Sequence, residues 1–156
     1  MKPSDALIKY GTATGLKSVG FDWEVNSYYQ LNYTEAYNSQ NNQLYWGGIT
    51  KHLISMPIVD NWNSHKVGGG GYFSAPSIHV AAEWLRNVHD IHVDVSFNDG
   101  WEYHLEDCSQ NSIKPIRKPY SDVYSGFETF EEALEAGIDM ATVVIAEREI
   151  DKENKR

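Results

Sequence analysis

The stretch "IHVDVSFNDGWEYHLED", Ile91 to Asp107, carries two histidines and several carboxylates at alternating positions on either side of a turn. Imidazoles and carboxylates in that mixture could bind zinc or another borderline metal, or share protons in acid and base catalysis. Whether they meet depends on the turn. A two-residue loop at Asp99-Gly100 would set Phe97 against Glu102 and oppose apolar to charged side chains along the ladder, which burial of one face does not tolerate. A three-residue loop, Asn98-Asp99-Gly100 with Gly100 left-handed, instead pairs Phe97 with Trp101, Val95 with Tyr103, Val93 with Leu105 and Ile91 with Asp107. One side is then almost continuously apolar. The reverse side sets Ser96 opposite Glu102, Asp94 opposite His104 and His92 opposite Glu106, with Cβ atoms about 4.5 to 5.5 Å apart. His92, Asp94, His104 and Glu106 are thus the candidate metal ligands. The same opposed pairs also stabilise a solvated sheet face with no ligand, by a few tenths of a kcal/mol to about 1 kcal/mol each, and this is the preferred reading.

Other chemistry is thinner. Cys108 is the only cysteine, and His104, four residues earlier on the same strand, stands about 13 Å away by strand rise, too far to activate it. It reads as a partly buried small side chain. His89, near a helix end, reads as a partner for the helix dipole. Nucleophile elbows, His-Glu-x-x-His, dinucleotide glycine patterns and kinase motifs do not occur. Four consecutive glycines, Gly68 to Gly71, could wrap amides around an anion, but Tyr72 and Phe73 follow where a P-loop needs Lys and Ser or Thr. A mobile connection or lid is the plainer expectation. Aromatic residues crowd the first half, from Trp23 through Tyr45 and Trp46 to Tyr72, in numbers that fit a core with polar handles or a contact surface. The ligand-binding candidates are Gly69 and Gly70, whose amides could face phosphates, and Tyr45, Trp46 and Tyr72, whose rings could stack on a planar group.

The elements that must position these groups follow from periodicity. "PSDALIKYGTATGLKSVGF" predicts a helix capped by Ser4 and stopped by Gly20, weakened by Gly11 and Gly15. "WEVNSYYQL" alternates as a strand does. Residues 32–75 lack a clean period and predict short strands joined by loops in an irregular, Gly-rich insertion. "SAPSIHVAAEWLRNVHD" predicts a helix starting near Pro76, with Ile78, Ala81, Ala82, Leu85 and Val88 on its apolar face. After the hairpin, "CSQNSIKPIRKPYSDVYSGF" reads as a loop with one short edge strand near Val123. The final helix opens with Thr129 and Glu132 as a capping box and carries Phe130, Ala133, Leu134, Gly137, Ile138, Ala141, Val144 and Ile145 as its stripe. A charged tail, 151–156, frays into solvent. The expectation is one α+β domain over 1–150, a small antiparallel sheet with two or three amphipathic helices on one face and residues 76–148 as a helix–hairpin–helix core.

Composition bounds the function. At 156 residues, 41% hydrophobic and 13% aromatic, the chain can bury one core. Thirteen Lys and Arg against 22 Asp and Glu give a formal charge of -9, which disfavours nucleic acid, and Lys114, Arg117 and Lys118 form the one compact basic cluster. A lone cysteine and an N-terminus without an apolar leader point to an intracellular protein, and no apolar run approaches the ~20 residues of a membrane span.

Across "FSAPSIHVAAEWLRNVHDIHVDVSFNDGWEYHLED" and "GFETFEEALEAGIDMATVVI", the chain resembles a group of small uncharacterised proteins carried by tailed phages and prophages of gut bacteria of the Bacteroides group. The shared features are an Ala-Pro helix start, a Trp-Leu-Arg segment, an Ile-His-Val strand, a Trp-Tyr strand and a Glu-Glu-Ala-Leu-Glu-Ala-Gly helix. "GLKSVGFDWEVNSYY" also resembles the group's lysine-rich helix ending in Gly-Phe-Asp. The resemblance covers about two thirds of the chain, departs most over residues 32–71, and implies origin and fold without supplying a catalytic residue. The resulting expectation is a cytoplasmic accessory protein in a bacterial host cell, without a cofactor, acting by binding a host or defence factor or by self-association. The alternatives are a metal-binding module or metal-dependent enzyme built on the hairpin, and a protein that sequesters a signalling nucleotide.

Overall fold

The computed structural model describes residues 6–38, 43–67, 70–110, 112–116 and 124–156, with residues 32–38, 43–50, 66–67 and 70 described by their backbone. The elements in chain order are α1 (Tyr10–Ser18), β1 (Val25–Asn38), β2 (Gln43–Asp60), a 3-10 turn (Trp62–Ser64), β3 (Lys66–Val67), β4 (Gly70–Ser74), α2 (Ile78–His89), β5 (Ile91–Phe97), β6 (Trp101–Asp107), β7 (Lys114–Pro115) and α3 (Phe130–Asn154). The fold is α+β. It has two antiparallel sheets, ordered β2-β1-β4-β3 and β5-β6-β7, where the periodicity predicts one. α1 packs on β4 and on α3, and α3 packs on β5 and β6, so the helices link the sheets through a single core that includes Leu16, Phe21, Trp84, Tyr103 and Ile138.

α1 begins at Tyr10, later than its polar cap at Ser4 predicts. Leu7 forms an antiparallel bridge with Ser77, Ile8 N donates to Pro76 O, and Ile78 N donates to Ala6 O, so this segment is extended against the start of α2. Gly20, at φ +89°, ends the helix region as expected. Gly15 has a structural reason: a Cβ there would lie 3.2 Å from Thr142 Oγ1, so its absence lets α1 approach α3.

Residues 32–75 are more regular than expected, because β1 and β2 form one long hairpin of 14 and 18 residues. Register shifts between Val25 and Ser27 and between Tyr33 and Glu35 break the period of two that would have revealed them. Gly70 and Gly71 are strand residues facing Val67 and Lys66, and a strand rather than a helix follows them. Gly68 and Gly69 lie outside the described residues. The expected strand position near Val123 also lies outside them; the third strand of the second sheet is β7, opposite Glu106 and Asp107.

Ser77 caps α2 by accepting from Val80 N, and Asp90 closes it at φ 56°. The helix buries Ile78, Ala81, Trp84 and Leu85, while Val88, expected on that face, is 50% exposed. α3 has the predicted box, with Thr129 Oγ1 accepting from Glu132 N, although the Glu132 carboxylate reaches back to Glu128 N. It does not fray at residue 151. The helix runs to Asn154, with Glu149 and Lys152 paired one turn apart at 2.7 Å.

Candidate functional site

The β5–β6 ladder has the register derived from the three-residue loop, pair for pair, from Ile91↔Asp107 to Phe97↔Trp101. Asp99 takes the left-handed conformation at φ 60°, and Gly100 follows at φ 127°, so two loop residues share the reversal assigned to Gly100 alone. The inner face buries Ile91, Val93, Tyr103 and Leu105 beneath α2 and α3. Phe97 belongs to that face by parity, yet it is 66% exposed.

On the outer face His92 stands opposite Glu106 and Asp94 opposite His104. His104 does not engage Asp94. Its Nε2 lies 3.4 Å from Glu102 Oε1 on its own strand, and the same oxygen accepts from Ser96 Oγ at 3.2 Å. Among the described residues, no three His, Cys, Asp or Glu side chains converge closely enough to hold a metal ion. The hairpin thus aligns its four candidate ligands in opposing pairs without drawing them into one coordination shell.

The nucleotide candidates are placed differently. Gly69 is outside the described residues, Gly70 is in β4, and Tyr45 and Trp46 are in β2, opposite Ala36 and Glu35. Tyr72 is part of the packing: its ring lies 4.9 Å from Tyr28, 6.4 Å from Trp62 and 6.1 Å from His65, while its carbonyl accepts from Lys17 Nζ at 2.6 Å. Tyr28 stacks on Trp62 at 4.3 Å, and Trp62 Nε1 donates to Val25 O. These aromatics of the first half are core residues with polar handles.

Two polar constellations escape local pattern reading. Glu135, buried on α3, accepts from Lys9 N and from Thr12 Oγ1, the latter at 3.0 Å. It caps α1 from another helix, where Lys9 offers no side-chain cap of its own. Lys9 Nζ stands 3.6 Å from its other oxygen, over a cavity of about 250 Å³ that Phe127 and Asp139 also line. Asp139 is exposed as a residue, but loss of solvent around its carboxyl pushes it above the usual carboxylate range. A hydrogen bond from Thr12 opposes the shift, the charge of Glu135 adds to it, and Lys9 counters. Its charge of position could have been noticed: Glu135 interrupts the apolar run between Leu134 and Ala136.

The second constellation centres on Arg148, which donates to Asp107 Oδ2 at 2.8 Å and to His89 O at 3.4 Å. Asp107 is held below its usual range chiefly by hydrogen bonds from the Ser109 hydroxyl and amide, with Arg148 helping. Burial works against the charged dipole partner that the position of His89 suggests. Burial against Trp84, whose ring is 4.7 Å away, lowers its pKa, and its buried Nε2 has no protein partner among the described residues. The guanidinium of Arg148 takes the role at the end of α2 instead. Cys108 is half-buried, its sulfur within 3.9 Å of Glu106 O.

No protein-family model, no curated protein and no solved structure matches this chain.

Among the described residues, the outer part of the β1–β2 hairpin is paired only within itself. Pairing continues from Leu31↔Lys51 to Asn38↔Gln43, whereas β4 reaches only Tyr28–Gln30. Beyond Gln30 the hairpin is a two-stranded ribbon about 26 Å long at about 3.3 Å per residue. β2 is the outer strand of its sheet, and nearer the body it exposes Leu53, Ile58 and Val59. There, Pro57 and the register shift opposite Asn26 make the strand irregular. Among the described residues no helix is long and apolar enough to cross a membrane.

Proposed function

We propose that this protein acts by binding another protein rather than by catalysis, as an accessory protein of a phage or prophage that occupies a host or defence factor, with the β1–β2 ribbon as the contact element. The observation that carries this reading is the ribbon itself. A two-stranded hairpin is marginal in water, and its free backbone edges gain most when a partner pairs with them or packs over them. Composition supports it too. Residues 31–50 contain four aromatic residues and a single charged one, Glu35, in a chain that is 22% charged. Aromatic enrichment with depletion of charge is the signature of an interface centre. The phage-family resemblance departs most over this segment, which suits an element matched to one particular partner.

The test uses a shortened variant in which an Asn-Gly turn joins Asn32 directly to Thr50, residues that face each other in the ladder. A partner retained from host extract by the full chain should be lost by this variant and should re-form a stoichiometric complex from purified components with the full chain alone. Equal retention by both chains, with the body of the variant shown to be folded, would overturn the reading.

A further inference from the structure

The end of the second sheet opposite to the Arg148 corner presents a row of aromatic rings that the core does not absorb. Phe97 meets Trp101 edge to face at 5.3 Å, Trp101 meets Phe130 edge to face at 5.5 Å, and Phe130 stacks on His79 at 6.3 Å. Phe97 is mostly exposed, and Trp101 and Phe130 are half-buried. The row is fixed in place. Trp101 exchanges backbone hydrogen bonds with Phe127, and the backbone of Gly126 lies against Gly100, where a Cβ would come within 3.1 Å of it. Asp99 precedes Trp101 by two residues, Glu128 follows its bridge partner Phe127, and Glu131 follows Phe130 in the first turn of α3.

The charge around this row has one sign. The stretches that carry the row, residues 97–102 and 126–132, hold five carboxylates and no Lys or Arg. A second copy of the chain, or a nucleic acid, would meet repulsion here. A guanidinium or ammonium would be attracted by the rim and would find ring faces to stack on. The chain itself brings one cation to the border of this region, where Lys9 Nζ reaches Glu135 beside Phe127.

We infer that the Phe97–Trp101–Phe130 face is a docking surface for an arginine- or lysine-bearing segment of a partner protein, separate from the β1–β2 ribbon. The apolar rings supply contact area, and the carboxylate rim supplies selection by charge and a steered approach.

Calorimetric titration of the full chain with a capped hexa-arginine peptide, and with hexa-glutamine as the neutral control, tests this. The expected result is saturable one-to-one binding of the arginine peptide alone. It should weaken about five-fold or more in Phe97→Ser and in a Glu128→Gln, Glu131→Gln double variant, and stay unchanged in Glu153→Gln at the far end of α3. Phe97 and Glu128 are exposed and Glu131 is half-buried, and an unchanged circular dichroism spectrum is required of each variant before its affinity is compared. No saturable binding, or the same affinity in Phe97→Ser as in the parent, would overturn the inference, because attraction to the overall charge of -9 would then suffice.

Discussion

A Cβ placed on Gly137 of α3 would lie 2.3 Å from Val93 Cγ1 of β5 and 3.2 Å from the Tyr103 ring. The glycine that interrupts the final helix's apolar stripe is therefore the point at which that helix touches the hairpin. Gly137→Ala should gain about 1 kcal/mol of helix propensity and lose more to overpacking, which costs about 1 to 3 kcal/mol or beyond when neighbours cannot yield. Urea unfolding should show a lower midpoint, and Gly137→Val a lower one still. An unchanged or raised midpoint would mean that α3 does not seat on Val93.

Glu135 caps α1 across the helix interface, so its removal strands two donors. Glu135→Ala should destabilise the chain by about 1 to 3 kcal/mol, since Lys9 N–H and the Thr12 hydroxyl lose their acceptor. Thr12→Val should cost less. Chemical denaturation of both variants checks the order. Asp139→Asn should act in the opposite sense at neutral pH: the raised carboxyl binds its proton more readily folded than unfolded, so its charged form opposes folding there, and the opposition fades as pH falls.

His89 makes stability depend on pH in a separate window. Its folded pKa lies below the ordinary 6.5, so the unfolded chain takes up the proton first, and stability is lost as pH falls from that value toward the folded one. Asp107 has a depressed pKa, so its contribution persists above the usual 3.8 and disappears only as pH falls through the folded value. Melting temperatures from about pH 7.5 to about pH 5 should decline in the parent and decline less in His89→Gln. Parallel curves for the two proteins would show that the imidazole is not titrating.

What was readable in the sequence follows from where burial is one-sided. The hairpin register emerged because the three-residue loop is the one that collects Ile91, Val93, Val95 and their partners on one face, and the helix cap at Thr129 is a local motif. The β1–β2 ribbon was obscured because its register shifts change the parity of the strand. The start of α1 was misplaced because Leu7 and Ile8 are held by residues about seventy positions away, and periodicity carries no such information. The candidate ligands on the hairpin were placed correctly opposite one another, but pairing across a ladder does not make a coordination shell, and His104 turned to Glu102 instead. Glu135 stands out as a charge within an apolar stripe, but its partners and those of Arg148 are hidden for the same reason as those of Leu7: they are distant in the chain.

The hairpin loop gives a further check on backbone strain. Gly100 combines φ 127° with the close approach of Gly126, so Gly100→Ala should destabilise by about 1 kcal/mol or more, whereas Asp99→Gly, at an ordinary left-handed position, should change stability by a few tenths. Equal effects at the two positions would contradict this division of roles.

The central claim, that the ribbon is the contact element, is met most directly by amide hydrogen exchange over 31–38 and 43–51, in the free chain and in the reconstituted complex. The account predicts fast exchange in the free protein and slowing by about ten-fold or more on binding, because edge amides of a marginal hairpin become paired or covered. Unchanged exchange in the ribbon, with protection appearing elsewhere on the surface, would contradict it.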